Sequence, residues 1–278
     1  DNAVPRFDGE HFAGYIGSCI DIHDRKTAEA DAAFLAELSE QMRQAEEAEA
    51  LIVTVTRMVG DYLDATYCAL AELDEAQGAV TIWSDDARDR VTQAGSEQLA
   101  EFKTVLIDEL RRGQPVAIAD ARRDPRTAAD YGASYQPLGI VAYAGAPLLH
   151  DGHLQASLSV VADQPRRWQQ HQAALLQTVV ERLWSAVEKL RAEAELRASE
   201  AELRLITNTV PGLIAYVDAH QQYQFVNSAY EQWFARPTAA IIGHPMQELL
   251  GETVYQRKQP HILAALAGEF VTFEDDIL

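Results

Sequence analysis

The sequence is poor in cysteine and has no long apolar run. Its two cysteines, Cys19 and Cys68, are too few for a disulfide framework and suit small buried side chains in a reducing compartment. No stretch approaches the roughly 20 apolar residues that span a bilayer, and no signal-peptide pattern opens the chain. These deficits predict a cytoplasmic location and no membrane contact from this region.

Basic residues are scarce as well, because 43 acidic side chains stand against 23 basic ones and give a net charge of −20. Nucleic-acid binding depends on clustered Lys and Arg, and anionic membrane surfaces attract the same residues. The sequence therefore predicts neither partner.

Motifs of the common enzyme classes are missing too. There is no Gly-rich phosphate loop, no Gly-x-Ser-x-Gly elbow and no kinase signature. The eight histidines are scattered, and His150 and His153 flank a turn, where two ligands alone make a weak metal site. The sequence predicts no catalytic residue and no metal ligand.

What the sequence does contain is a strong hairpin signal from Leu138 to Ala162. Two apolar strands flank a turn centred on Asp151-Gly152, a pair that favours tight hairpins. Alternation predicts that one face packs on the long helices and carries Ile140, Ala142, Ala144, Ala146, Leu154, Ala156, Leu158 and Val160. The other face carries Val141, Tyr143, Gly145, Ser157, Ser159 and Val161.

A helical pattern precedes the hairpin, over residues 27–62. Its apolar residues recur at 3,4-type spacing at Leu35, Leu38, Met42, Ala45, Ile52 and Val59. Such a row is typical of a coiled-coil seam or of one helix that lies on its own domain. We expect a mixture, in which Leu35–Ala45 pairs with a second chain and Leu51–Tyr62 packs on the central domain.

A second helical pattern predicts one helix from Gln170 to about Asn208, roughly 58 Å long at 1.5 Å per residue. Its 4,3 seam runs through Leu176, Val180, Leu183, Val187, Leu190 and Ala194. Beyond Ala194 the seam would fall on Arg197 and Ala201, whereas Leu196 and Leu203 lie off it. Either the register changes there, which permits two packing arrangements, or the seam weakens where the helix leaves its partner.

Further strands are predicted between the helices, over Thr66–Leu73, Ala79–Trp83 and Pro115–Ile118, with a helix from about Gly95 to Arg112. Strands between helices with antiparallel hairpins predict an α+β domain. The order resembles a GAF domain of the sensor-histidine-kinase type. The resemblance is carried by the run Ala65-Thr-Tyr-Cys-Ala-Leu70, the run from Ala146 to Val160 and the segment around Trp168.

Both ends of the chain resemble parts of PAS domains. Gly14-Tyr-Ile-Gly17 followed by Asp21-Ile-His23 resembles the last strand of a PAS domain, where the Asp tethers that strand to the outgoing helix. The C-terminal matches to the first half of a PAS domain are Val210-Pro-Gly-Leu-Ile-Ala-Tyr-Val-Asp218, Phe225-Val-Asn227 and Ile242-Gly243. There we expect paired strands, a helix opened by a Ser228–Glu231 capping box, a helix over 252–267 and a strand over Glu269–Ile277.

These resemblances imply an α+β chain in which an antiparallel GAF sheet with helices is joined by long, coiled-coil-like helices to partial PAS domains. The expected parts are a PAS end (1–26), a linker helix (27–45), the GAF domain (46–190), a signalling helix (191–206) and the start of a second PAS domain (207–278).

GAF domains often have a cavity between the sheet and the loops that cover it. The candidate pocket residues are Tyr143, Ser157 and Ser159, capped by Tyr131 and Tyr135, which would suit an unidentified small ligand. The alternative is that Tyr143 fills the space itself. Bilin-carrying relatives attach the pigment through a Cys before the Leu138 strand, but residues 120–138 contain neither Cys nor His. No cofactor is therefore expected.

The resemblance implies a non-catalytic sensory region of a bacterial signalling protein, with a sensor histidine kinase as the parent and the effector domain downstream. In this hypothesis a parallel homodimer relays the signal through its long helices. The alternatives are a ligand- or chromophore-binding receptor domain of a diguanylate cyclase or phosphodiesterase, and a structural dimerisation scaffold.

Overall fold

The computed structural model describes residues 2–18, 21–74, 79–84, 96–98 and 105–274. The chain divides into two compact units at Ala192–Glu193, and each unit is described by itself. Cys19 lies outside the described residues. No helix in the described ranges is both long enough and apolar enough to cross a bilayer.

The first unit contains eight strands and four helices within its described residues. The strands are β1 (Asn2–Asp8), β2 (His11–Ser18), β3 (Tyr67–Asp74), β4 (Ala79–Ser84), β5 (Ser96–Gln98), β6 (Val116–Ile118), β7 (Ala142–His150) and β8 (His153–Ala162). The helices are α1 (His23–Gln44), α2 (Ala48–Tyr62), α3 (Val105–Arg111) and α4 (Gln170–Thr209), which continues into the second unit. A π-helical turn covers Tyr131–Tyr135.

Six of these strands form one antiparallel sheet in the order β5-β4-β3-β8-β7-β6. The predicted hairpin is confirmed as β7 and β8, with His150 opposite His153. Asp151 and Gly152 both have positive φ, 51° and 82°, as the primed turns of two-residue hairpins require. The Asp-Gly pair therefore connects β7 and β8 through a tight turn.

One face of the sheet is covered by α1, α2 and α4, which share a large apolar core with it. The sheet contributes Cys68, Leu70, Ala144, Ala146, Ala156, Leu158 and Val160, and α4 contributes Leu175, Leu176, Val179, Val180, Leu183, Trp184, Val187 and Leu190. The predicted apolar face of the hairpin is thus largely confirmed. The seam through α4 packs on this sheet up to Leu190.

The helical pattern over residues 27–62 is divided into two helices by a break at residues 45–47. The two helices fold back on each other. The Tyr62 hydroxyl near the end of α2 donates to the Asp31 carboxylate of α1 at 2.7 Å, and the Tyr62 and Phe34 rings stack with centroids 4.0 Å apart. The pattern over residues 27–62 therefore folds as a helical hairpin.

This hairpin packs Leu35–Ala45 on the chain's own core, and pairing of this segment with a second chain stays a prediction. Leu38 is buried in the chain's own core, and Leu35, Met42 and Ala45 pack against that core. The reason is the break at 45–47, which lets α1 return along α2. At the start of α1, the Asp21 carboxylate accepts the backbone N–H of His23 at 2.8 Å.

Two residues of the hairpin lie on the face opposite to the predicted one. Leu154 joins the second core because the β7–β8 register shifts between Leu148 and Leu149, and a one-residue shift moves a side chain to the other face. Ile140 joins it because β7 begins only at Ala142.

The helix predicted from Gly95 to Arg112 is also corrected. Residues 96–98 form the edge strand β5, which pairs with Ala79–Thr81, and the helix α3 covers only Val105–Arg111. Residues 99–104 lie outside the described ranges. The open edge of β4 offers backbone hydrogen bonds to residues 96–98, and this pairing outweighs their local preference.

The second unit begins within α4 and contains two strands and three further helices. They are β9 (Ala215–Val217), β10 (Tyr223–Val226), α5 (Ser228–Phe234), α6 (Met246–Leu250) and α7 (Glu252–Leu266), with a 3-10 turn at Thr238–Ala240. Its small core contains Tyr223, Val226, Tyr230 and Ile241. The paired strands and the 252–267 helix are confirmed.

Two local predictions in the second unit are wrong. Glu231 does not close a capping box; its carboxylate instead accepts the backbone N–H and the hydroxyl of Thr238, both at 2.6 Å. Residues 269–274 form no strand, and Phe270 is 97% exposed, while residues 275–277 of the predicted strand lie outside the described ranges. A strand needs a neighbour to pair with, and residues 269–274 lack one within the described chain.

Candidate functional site

The face of the six-stranded sheet that points away from the long helices carries a second core rich in tyrosine. Tyr67, Tyr135 and Tyr143 are buried there, and Tyr131 packs against them. This core also contains Leu106, Leu110, Val116, Ile118, Ala121, Ile140, Leu154 and Val161. The structure therefore brings together the three tyrosines that the sequence nominated for a pocket.

Tyr143 lies along its own strand rather than standing out from the sheet. Its hydroxyl is 2.7 Å from the Ser159 hydroxyl on β8, and its ring covers Gly145. A Cβ at Gly145 would lie 2.3 Å from the Tyr143 oxygen, so only glycine fits at that position. Burial raises the pKa of the Tyr143 phenol to about 12.

Ser157 is buried on β8, two residues before Ser159 and hence on the same face of the strand. The five candidate residues thus lie on or over one face of the sheet. Tyr143 occupies the surface above Gly145, as the alternative without a ligand requires. Occupation of this face by a small molecule stays a prediction.

The loop that carries Tyr131 and Tyr135 is fixed by Arg126. Its guanidinium binds both oxygens of Asp124, at 2.9 and 2.8 Å, the Glu109 carboxylate of α3 at 2.9 Å and the Ala117 carbonyl of β6 at 2.9 Å. The contact with Arg126 lowers the pKa of Asp124 below its usual value. One side chain thereby ties helix, sheet and loop together around the tyrosine core.

The other chemically distinctive residues do not assemble into a site. His150 and His153 lie at the exposed hairpin turn, and Cys68 is a buried thiol. Among the described residues, no group of three His, Cys, Asp or Glu side chains is arranged to hold a metal ion.

The point where α4 leaves the first core is held by a charged contact that the sequence did not reveal. The Arg191 guanidinium donates to both oxygens of Glu72 on β3, at 3.1 and 3.0 Å, and lies 3.8 Å from the Glu49 carboxylate of α2. Glu72 is 119 positions away in sequence, so no local spacing indicates this pair.

A recess of about 380 Å³ opens beside this contact. It is lined by Glu72, Asp74, Thr81, Gln155 and Trp184 among others. The indole N–H of Trp184 is buried and has no hydrogen-bond acceptor in the described chain.

Beyond Arg191 the surroundings of α4 change. Between residues 191 and 209, all of which the structure describes, no side chain is buried. Leu196 and Leu203 are 61% and 59% exposed, and Leu205 and Ile206 are exposed as well. At about 100° per residue, Leu196 and Leu203 lie about 180° and 160° around the helix from Val187, so these two leucines and the buried seam occupy opposite sides of α4, whereas Leu205 lies on the side of the seam.

The far end of α4 is tied into the second unit by Asn227, a buried polar residue. Its side-chain amide donates to the Thr207 carbonyl at 2.9 Å and to the Gly212 carbonyl at 2.7 Å. Its side-chain oxygen accepts the backbone N–H of Ile214 at 3.1 Å. One side chain therefore links the last turn of α4 to the loop before β9.

Family models assign both units. The GAF domain model matches residues 47–187, half of the chain. This chain belongs to the GAF domain family. A PAS fold model matches residues 207–278, so the second unit follows the GAF domain as a PAS region. GAF and PAS domains are typically regulatory sensors, and the chain is a signal-sensing region.

Solved GAF domains share this fold at low sequence identity. The GAF domain of a phosphoenolpyruvate-protein phosphotransferase from Coxiella burnetii is 17% identical, with a TM-score of 0.51 over 60% of this chain and 98% of that one. The GAF domain of the corresponding Acinetobacter protein is 15% identical, with a TM-score of 0.49 over 59% of this chain and 97% of that one. At these identities the likeness concerns the fold alone. No curated protein matched the sequence.

Proposed function

We propose that this GAF–PAS chain is a relay segment of a cytoplasmic bacterial sensor histidine kinase, in which two copies pair in parallel through the exposed half of α4. The observation that carries the proposal is the exposed row Leu196, Leu203 and Ile206, which follows the last α4 residue of the GAF core. The effector domain then lies beyond this region in the parent chain.

The spacing of this row supports pairing between helices. Leu196 and Leu203 are seven residues apart and Ile206 follows three later, which corresponds to positions a, a and d of a heptad. Pairing would remove these side chains from water, and burial of each leucine contributes about 1.5 to 3 kcal/mol. An apolar heptad row on one helix face is most simply matched by the same row on a second copy.

A cysteine crosslinking experiment tests this register. Ser199 lies at a d position between the two leucines, whereas Ala201 lies about 200° around the helix from it. In a Cys19→Ser background, with Cys68 left buried in the core, Ser199→Cys should form a disulfide-linked dimer and Ala201→Cys should not. Equal crosslinking of the two variants, or a strict monomer by light scattering at high concentration, would contradict the proposal.

A second proposal, of a different class, is a small-ligand receptor that would bind beside the tyrosine core. The hydroxyls of Tyr143, Ser157 and Ser159 occupy one sheet face beneath a loop that Arg126 holds in place. Native mass spectrometry of the purified chain tests it. A reproducible added mass that Ser159→Leu abolishes is expected, and a spectrum with the bare chain mass alone would count against a receptor role.

A further inference from the structure

The contact between Arg191 and Glu72 lies where the GAF core stops holding α4. Leu190 is the last α4 residue in that core, and Arg191 makes the next contact. From residue 192 to its end at Thr209 the helix has no buried side chain, and its last turn is held by Asn227 of the second unit. Arg191 therefore makes the contact at which α4 leaves the GAF core.

The geometry of the contact is specific to an arginine–carboxylate pair. Two guanidinium nitrogens meet two carboxylate oxygens, an arrangement that only arginine provides. Glu72 is 17% exposed and Arg191 is 37% exposed, so water screens the pair only in part. Glu49 adds a second carboxylate, from α2. One arginine thus joins three elements, namely β3, α2 and α4.

The position of Glu72 connects this contact to the centre of the sheet. Glu72 lies on β3 between Thr81 of β4 and Ala156 of β8, with which it is in register. A shift of β3 against either neighbour moves the carboxylate directly.

The surroundings leave room for a second arrangement. The recess of about 380 Å³ is lined by both Glu72 and Trp184. The Glu72 side chain therefore has space on one side into which it can turn away from Arg191.

We propose that Arg191, held by Glu72 of β3 and Glu49 of α2, is a latch through which the GAF sheet sets how much of α4 is free to pair. In the latched state the free segment starts at residue 192. In the released state the last GAF-bound turn, residues 187–191, loosens as well. This device rests on the proposed pairing through α4 and describes its regulation.

Hydrogen exchange of the full chain tests the latch without reference to pairing. At a concentration where light scattering shows a monomer, Arg191→Gln and Glu72→Gln should each raise amide exchange over residues 187–195 on the order of fivefold, as for a partly buried charge pair. Exchange in β7 should not change. Arg197→Gln is the matched control, because Arg197 pairs with Glu193 one helical turn away at 3.3 Å.

Three further outcomes decide the proposal. If the Arg191→Gln and Arg197→Gln variants exchange equally over residues 187–195, there is no latch. If Arg191→Gln unfolds the GAF domain, Arg191→Lys is used in its place, because lysine keeps the charge but cannot make the two-point contact. An Arg191→Lys variant that exchanges like the wild type over residues 187–195 overturns the proposal. The double variant Arg191→Gln with Glu72→Gln should exchange no faster than either single variant if the two side chains act as a pair.

The link to pairing is measured separately. In the Ser199→Cys background, Arg191→Gln should change the rate of disulfide formation at least twofold, and Arg197→Gln should leave it unchanged. If exchange rises but crosslinking keeps its rate, the latch does not regulate pairing and the proposal is overturned. If Ser199→Cys forms no dimer at all, the proposed pairing fails, and the exchange result still decides whether Arg191 holds the helix.

Discussion

The first half of α4 buries its leucines and valines, whereas the second half exposes its leucines and its isoleucine. Leu183 and Val187 lie in the GAF core beneath the sheet, and Leu196 and Leu203 are about 60% exposed. Both halves are helical and both repeat apolar residues at seven-residue intervals. The comparison teaches that a seven-residue spacing identifies an apolar face but does not identify the surface that covers it. In the first half that surface is the chain's own sheet, and in the second half the face is exposed to water.

The largest effect is expected when the same substitution is made in both halves. Leu183→Ala should lower the free energy of unfolding by about 3 kcal/mol, because it removes a fully buried side chain and leaves a cavity. Leu203→Ala should change it by less than about 0.5 kcal/mol, as for an exposed site in a dilute monomer. Chemical denaturation of both variants makes the comparison.

Association should show the reverse order of effects. Leu203→Ala should weaken self-association about tenfold or more, because each of two chains loses an apolar contact. Sedimentation at increasing concentration measures this change. Equal destabilisation by both substitutions, together with unchanged association, would mean that the two halves do not differ in the way described.

A smaller effect is expected where the exposed half of α4 ends. Asn227→Ala removes three hydrogen bonds of a side chain that is 1% exposed, so the PAS unit should lose about 2 kcal/mol of stability. Asn208→Ala is the control. Its side chain accepts one exposed bond from the Ser228 N–H, and less than about 1 kcal/mol is expected. Thermal unfolding and exchange over residues 205–214 would report both; a loss no greater than that of Asn208→Ala would remove Asn227 as an anchor.

The smallest effect concerns the opposite face of the same sheet and depends on pH. Burial raises the pKa of Tyr143 from 10.0 to about 12, so the unfolded chain releases this proton at lower pH than the folded one. The contribution of Tyr143 is complete below pH 10 and is lost as the pH rises towards 12, by up to about 1.4 kcal/mol per pH unit. Tyr143→Phe should flatten that decline in denaturation curves recorded between pH 9 and 12.

A second tyrosine allows a check of the same reasoning. Burial, with the Asp31 contact, also raises the pKa of Tyr62 to about 12. Tyr62→Phe combined with Tyr143→Phe should flatten the alkaline decline further. If Tyr143→Phe retains the wild-type slope, the phenol is not buried as described.

Sequence reasoning succeeded where short-range chemistry decides the structure. The Asp151-Gly152 pair identified the central hairpin because a two-residue loop needs positive φ at both positions. Alternation along the strands predicted that Tyr143, Ser157 and Ser159 share one face. Leu154 lies on the face opposite to its predicted one because the register shifts before Leu149. The matches around residues 46–190 and 207–278 also identified the GAF and PAS domains.

It failed where two distant segments meet. The helical pattern over residues 27–62 did not reveal the break at residues 45–47, where α1 folds back on α2 through the Asp31–Tyr62 contact. The Arg191–Glu72 pair is invisible to any local spacing. The capping-box pattern at Ser228–Glu231 was satisfied in sequence and unused in the structure, because Thr238 offers Glu231 two donors.

The sequence by itself determined the α+β class, the hairpin turn, the long helix from Gln170 and the apolar faces, since each follows from backbone geometry and side-chain period within a few residues. Only the tertiary structure decided what those faces meet. It assigned Leu183 and Val187 to the chain's own sheet, left Leu196 and Leu203 in water and placed Arg191 between them on Glu72. The physical reason is that the hydrophobic effect is non-directional. An apolar pattern therefore predicts that a helix or strand face will be buried, but only the folded chain determines which surface buries it.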